Sequence, residues 1–276
     1  VLKLWQGLGY YSRARNLHAA ARQVAARFGG VFPRSYDEVR SLRGVGDYTA
    51  AAVCSAAYDA PCAALAGNVF RVLARLFDID LPIDSTAGKR TFAELAQMRL
   101  DKRCPGRYNQ AVMDFGALQC TPAQPGCADC PLASRCLALA AGTVAERPVK
   151  QSKTKVRDRW FNYLHVTCGD RTLLRRRGEG DIWQGLYEFP MIETDRAADF
   201  SELTDSEEFR TLLDGVEWRL LRSVAMPKHQ LSHQTLHAVF HRIEISFPVD
   251  FPSVPTATLG DYAVPRLIDR YLDRQP

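Results

Sequence analysis

The sequence predicts a multidomain protein, an all-α front half followed by an α+β back half. Three observations predict it. Residues 1–140 carry apolar spacing of helical period with few β-branched runs, and residues beyond 158 alternate as strands do. Between them lies a polar, basic stretch with a proline. At 276 residues the chain can bury two separate cores.

Each element follows from its own pattern. NLHAAARQVAARFGG has helical spacing and a Gly-Gly stop. SYDEVRSL follows Pro33, and Ser35 with Glu38 forms the capping-box pattern that opens a helix. YTAAAVCSAAY, GNVFRVLARLF, STAGKRTFAELAQMRL and RYNQAVMDFGALQC predict four more helices. The first domain is expected over 1–142 and a linker over 143–158, within GTVAERPVKQSKTKVRDR. The second domain, 159–276, has strand patterns in WFNYLHVTC, RTLLRRR, GLYEFPMIE, WRLLRSVAM and TLHAVFHRIEISF, and helix patterns in SEEFRTLLDG and PRLIDRYLDRQ.

Composition is that of a soluble globular protein, 46% apolar and 24% charged, and no apolar run approaches the roughly 20 residues of a membrane span. VLKLWQGLGYY reads as the interior of an element, so an N-terminal truncation is expected. Charge is unevenly spread. Residues 1–140 hold 17 Lys+Arg against 11 Asp+Glu, residues 141–160 hold 6 against 2, and residues 161–276 hold 13 against 18. A basic front half and connector suit a polyanion, although a solvated basic surface gives the same count.

Leu42-Arg43-Gly44-Val45-Gly46-Asp47-Tyr48-Thr49 sits between two helix patterns and reads as a helix–hairpin–helix. Glycines at such a turn let backbone N–H groups approach a phosphate, and the next helix N-terminus favours the anion. Such contacts fix register on DNA without reading sequence. A bare G-x-G turn reads equally as a tight turn; its place before the next motif favours the nucleic-acid reading.

That next motif is Cys120-x6-Cys127-x2-Cys130-x5-Cys136 in a Pro- and Gly-rich loop. Four thiolates in seventeen residues make a metal site. Zinc sites more often pair two C-x2–4-C knuckles, and only one C-x2-C is present, so the spacing favours an iron–sulfur cluster over zinc and over disulfides. Cys54, Cys62, Cys104 and Cys168 are scattered and read as small buried hydrophobes. A thiolate cluster suits a reducing cytoplasm.

LWQGLGYYSRARNLH, LRGVGDYTAAAV, GNVFRVLAR, NQAVMDFGALQC and the cysteine loop together resemble the MutY-type adenine DNA glycosylases. The resemblance continues through Ile182–Pro190 (IWQGLYEFP) and Leu231-Ser232-His233, and so covers nearly the whole chain. It implies a helical glycosylase domain with a [4Fe-4S] loop, then a Nudix-like domain that recognises 8-oxoguanine. The implied function is base-excision repair of adenine mispaired with 8-oxoguanine or guanine, in duplex DNA, by a cytoplasmic, nucleoid-associated monomer.

Residue roles follow from the same resemblance. Tyr10 is the aromatic wedge beside the lesion, offsetting the few kcal/mol lost when adenine flips out; by pattern alone it is a core tyrosine. Leu42, Gly44, Val45, Gly46 and Thr49 grip the DNA backbone, with Arg135 of the cysteine loop as a phosphate contact. Cys120, Cys127, Cys130 and Cys136 ligate the cluster. Tyr10, Ser232 and His233 recognise 8-oxoguanine. Tyr48 stands where endonuclease III-like relatives carry a nucleophilic lysine, which implies a monofunctional glycosylase rather than a glycosylase–lyase.

N-glycosidic hydrolysis needs an acid for the leaving base and a carboxylate for the oxocarbenium-like sugar. The family's acid, a glutamate, lies upstream of the segment present here. Its aspartate falls at Ala66, which offers neither charge nor nucleophile, while Asn68 matches the family. Asp78, Asp80 and Asp84 read as loop or cap carboxylates. Impaired turnover is therefore expected, with a lesion-binding protein as the alternative. A Nudix hydrolase is disfavoured, because the paired glutamates of the metal box do not follow Gly185.

Overall fold

A computed structural model of the chain describes residues 1–152 and 156–274. It divides into two compact units, Ala19–Lys153 and the combination of Val1–His18 with Thr154–Pro276. Among the described residues no helix is long and apolar enough to cross a membrane.

The helical unit is built on α1 (Tyr11–Arg27), whose N-terminal part is grouped with the other unit, α2 (Tyr36–Arg40), α3 (Asp47–Tyr58), α4 (Gly67–Leu76), α5 (Thr86–Arg99), α6 (Pro105–Leu118) and α7 (Leu137–Ala141). Ser35 caps α2 by accepting the Glu38 N–H, as its sequence pattern predicts, and Ser85 caps α5 through Gly88. Val69, Leu73 and Ala74 of α4 pack with Phe92 and Ala96 of α5 in one core. Val39, Ala50 and Cys54 fill a second core beneath the α2–α3 turn. Truncating a ring as buried as Phe92 costs about 3–5 kcal/mol.

The second unit is a mixed sheet with short helices. Its strands are β1 (Arg157–Cys168), β2 (Arg171–Leu173), β3 (Arg175–Arg176), β4 (Tyr187–Glu188), β5 (Met191–Thr194), β6 (Trp218–Ala225), β7 (His229–Gln230), β8 (Gln234–Ile245) and β9 (Ser253–Pro255). The main sheet runs β6-β8-β1-β2-β9, with β5 also on β1 and β7 on β8; β3 and β4 form a separate ribbon. β1 and β8 are parallel from Arg157↔Gln234 to Thr167↔Glu244, and the other pairs are antiparallel. One face of the sheet packs Phe161, Tyr163 and Phe240 under α10 (Arg266–Leu272). The other packs Leu164, Val166 and Ile243 under α8 (Phe200–Thr204) and α9 (Glu207–Leu213).

Two boundaries differ from the expected 142 and 159. Residues 1–18 group with the sheet unit because Leu2, Trp5 and Tyr11 pack on its core, and Lys3 and Gln6 bond Tyr262 and Asp269. At the expected linker, 153–155 lie outside the described residues, while 143–152 are fastened to the helical unit. The Thr143 hydroxyl donates to Asp78 (2.6 Å), Val149 accepts the Ile83 N–H, and Asp84 accepts the N–H groups of Gln151 and Ser152 (2.8 Å each). Asp78 and Asp84 are thus the loop and cap carboxylates that their positions predict. RTLLRRR is two short strands rather than one, and the last residue of the PRLIDRYLDRQ helix pattern lies outside the described residues.

Candidate functional site

In the helical unit, α2 ends at Arg40 and α3 begins at Asp47, with a turn between them that Gly44 makes possible by adopting φ +79°. Gly46 is the N-cap residue of α3 and makes no side-chain cap bond, so the N-terminal N–H groups of that helix face outward. Gly44, Gly46 and Thr49 are exposed and Val45 is half-buried. Leu42 is buried at 3% exposure, so its side chain anchors the turn. Arg40 bonds the Val45 carbonyl (3.1 Å) and the Asp47 carboxylate (2.5 Å). That hydrogen bond holds the Asp47 carboxyl below the usual range, so a fixed negative charge sits at the first turn of α3.

Tyr48 and Asn68 meet at one residue of α6, Met113. The Tyr48 hydroxyl donates to the Met113 sulfur (3.2 Å), and the Asn68 amide donates to the Met113 carbonyl (3.3 Å). Ala66 is the N-cap of α4, with extended backbone and no side-chain bond to the helix. α4 and α6 approach so closely here that a Cβ on Gly116 would lie 2.8 Å from the Asn68 Cβ. Asn68 also accepts from Arg71 (2.9 Å), which in turn donates to the carbonyls of Gly116 (2.5 Å) and Cys120 (2.7 Å). Position 66 therefore lies at the N-terminus of the helix that carries Asn68, where an anion is favoured.

Cys120, Cys127, Cys130 and Cys136 line one small, mostly apolar cavity with Arg75. Burial pushes the Cys127 thiol up, and the other three cysteines push it further, so the thiols feel one another. Among the described residues no group of three or more His, Cys, Asp or Glu is close enough to hold a single metal ion. Arg75, at 3% exposure, lies 3.4 Å from the Cys120 sulfur and donates to the carbonyls of Thr121, Pro122 and Val144. A guanidinium beside a thiolate site lowers its negative charge. Arg135 is exposed at the end of a 3-10 turn, Ala133–Arg135. Sequence reasoning missed Met113, Arg71 and Arg75. The available signal was two arginines at i, i+4 in the largely apolar helix α4.

In the sheet unit, Ser232 and His233 are exposed at the tip of the β7–β8 hairpin. The Leu231 N–H donates to Gln234 (2.8 Å), closing the turn, and the Arg157 N–H donates to the His233 carbonyl (3.2 Å). Tyr10, grouped with this unit, adopts φ +44° just ahead of α1 and is 65% exposed. The guanidinium of Arg13 lies 4.9 Å from its ring. The core tyrosine of the pair is Tyr11, at 5% exposure. The structure groups Tyr48, Asn68, the hairpin and the cysteines in one unit, and Tyr10, Ser232 and His233 in the other.

A helical unit with a hairpin and a four-cysteine loop, and a mixed-sheet unit with a two-sided core, define a helix–hairpin–helix protein carrying a Nudix-like domain. Family models agree: a helix-hairpin-helix motif matches residues 27–56 and a NUDIX domain matches 162–274. Among curated proteins the chain is similar to adenine DNA glycosylases. It is 35% identical over 213 residues to the adenine DNA glycosylase of Arabidopsis thaliana, covering 72% of this chain and 34% of that protein. It is 28% identical over 260 residues to that of Buchnera aphidicola subsp. Schizaphis graminum, covering 91% and 70%. With the Homo sapiens adenine DNA glycosylase it shares 44% over 139 residues, covering 50% of this chain and 26% of that one. The chain thus spans about a third or less of the length of the plant and human relatives.

Proposed function

We propose that this chain is a base-excision repair protein that binds duplex DNA containing adenine opposite 8-oxoguanine, with the machinery of a monofunctional adenine DNA glycosylase and an impaired base-release step. The observation that carries this reading is the meeting of Tyr48 and Asn68 at Met113, with alanine at the N-cap of the helix that carries Asn68. A carboxylate at position 66 would be ionised and adjacent to a flipped sugar; alanine leaves the pocket without it. Tyr48 has no amine, so no Schiff base forms. The exposed backbone of Gly44–Gly46 with Thr49 and Arg135 engages phosphates, and exposed Tyr10 is free to wedge between bases. Ser232 and His233 read the oxidised guanine.

The residues around the cysteine cavity fit a [4Fe-4S] cluster held by Cys120, Cys127, Cys130 and Cys136. Supporting this over zinc, the thiols line the wall of a cavity, whereas zinc needs every sulfur about 2.3 Å from one point. Bound there, the cluster ties the loop bearing Arg135 to the helical unit.

A single-turnover assay on a duplex with A opposite 8-oxoguanine tests the proposal. Specific binding, little adenine release and no borohydride-trapped adduct are expected. Ala66→Asp, in a chain extended upstream by the corresponding glycosylase segment, restores release. A folded, DNA-bound Ala66→Asp protein that releases no adenine overturns the assignment of position 66. Iron analysis with a visible absorbance band checks the cluster, and stoichiometric zinc rejects it.

A further inference from the structure

We propose that Arg159 is a positioning residue for the recognition hairpin, acting on Ser232 and His233 through Gln234. This rests on the reading of that hairpin given above.

Arg159 lies in β1 and is 7% exposed. A guanidinium has five N–H donors in a rigid fork, and here all five are used. Nη1 and Nη2 each donate to Asp181 (2.8 Å), and Nε and Nη2 each donate to Glu193 (2.6 Å). The fifth, from Nη1, goes to the Gln234 side-chain oxygen (3.2 Å). The guanidinium also sits 4.7 Å from the centre of the Phe161 ring. A group bonded on every donor and stacked on a ring has a single orientation.

The charges around it balance without Gln234. Arg177 pairs with Asp181 (2.9 Å) and with Glu188, and Arg175 pairs with Glu188 (3.3 Å). Arg159, Arg175 and Arg177 thus meet Asp181, Glu188 and Glu193. A network serving only the stability of the sheet would need nothing more. The bond to a neutral amide of the hairpin is the one that electrostatic balance does not require.

Gln234 is 4% exposed and follows Ser232-His233 directly, so it is the closing foot of the hairpin. The opening foot, His229, rests edge-on against Trp183 with ring centres 6.0 Å apart. Trp183 is held at φ +63° in the loop between β3 and β4. Asp181 pins that loop, accepting from Arg159, Arg177 and the Ile182 N–H (2.7 Å). Both feet are therefore set by the partners of Arg159, while the tip carries two exposed polar side chains. Fixed feet with a free tip lower the ordering cost of binding, which strengthens selective contacts.

The test measures equilibrium binding to two duplexes, A opposite 8-oxoguanine and A opposite guanine, for Ser232→Ala, Gln234→Met and Arg159→Lys, with melting temperatures alongside. Gln234→Met removes the hairpin bond and leaves the ion pairs in place. It lowers the ratio of the two affinities by about fivefold, the worth of one hydrogen bond. Arg159→Lys, with three donors and no fork, lowers the ratio at least as far. If Ser232→Ala collapses the ratio while both other variants keep it, with or without a loss of melting temperature, the positioning role is overturned and the hairpin reading stands. If Ser232→Ala itself leaves the ratio intact, the hairpin reading fails first and the positioning role falls with it. Should Arg159→Lys not fold, Gln234→Met decides alone.

Discussion

Both units bury arginines, but they satisfy them in opposite ways. In the helical unit, Arg71 and Arg75 donate mainly to backbone carbonyls, those of Gly116, Cys120, Thr121, Pro122 and Val144. In the sheet unit, Arg159 and Arg177 are met by Asp181, Glu188 and Glu193. Carbonyl dipoles orient a cation without cancelling it, so the helical unit keeps positive charge beside its cysteine loop. Carboxylates cancel it, so the sheet unit gains a fixed scaffold around Arg159 and Arg177. One unit leaves its buried charge uncancelled, and the other uses charge to hold its own shape.

The largest expected break between the two units comes with acid. His165 and His241 are buried in the sheet unit at 5% and 2% exposure, and burial pushes each down to about 4. For His165, Arg242 and Arg222 push in the same direction. A histidine whose folded value lies below its unfolded one opposes protonation in the native state. Its stability contribution is intact above about pH 6.5 and is lost as pH falls from there towards 4. Each such shift corresponds to at most about 3 kcal/mol. Residues 19–153 contain no histidine, so the helical unit is silent in that window. Urea unfolding followed by residue-resolved NMR between pH 7 and 4.5 should show the sheet unit melting first. Equal acid sensitivity of the two units would remove the contrast.

Next in size is Glu188→Gln, which deprives Arg175 and Arg177 of their buried partner at a cost of about 3–5 kcal/mol. Denaturant midpoints should fall for the sheet unit while the helical unit keeps its own. Asp181 sharpens the same point at lower pH. Its carboxyl is held down to about 2 by Arg159, so its contribution stays intact above about pH 4 and disappears as pH approaches 2.

The smallest effect lies in the helical unit. Ala66→Asp supplies an N-cap acceptor to α4, which has none, and should add about 1 kcal/mol. A rise of a few degrees in melting temperature is the expected reading. A fall would mean that the cost of burying the carboxylate beside Leu65 and Phe70 outweighs the cap.

Much of this was legible in the sequence because it is local. The long periodic segments became α3, α4, α5, α6, β1, β6 and β8, and the Ser35 cap is visible in its own pattern. Cysteine spacing placed four thiols on one loop, and they line one cavity. Short elements carried too few residues for a period to register: α8, β7 and β9 hold five, two and three. Non-local partnerships left no trace. Nothing in VLKLWQGLGYY says that Trp5 and Tyr11 pack on a sheet formed by residues beyond 156, and Arg159, Asp181, Glu193 and Gln234 meet from four separate segments. The burial of Leu42 was equally silent, since its motif fixes the turn while its side chain belongs to the interior.

The parallel pairing of β1 with β8 also sets an order of events. Arg157 lies opposite Gln234, and no tight turn can join parallel neighbours, so the intervening chain must exist before the central pair of the sheet can close. The helical unit is complete by residue 153 and relies on nearer partners. During synthesis it can settle first, as domains do. Residues 1–18 cannot settle with it, because the surface they pack on is made later. Residues 1–18 are made before the strands they pack on, so Trp5 and Tyr11 stay open to chaperones and proteases until β8 arrives.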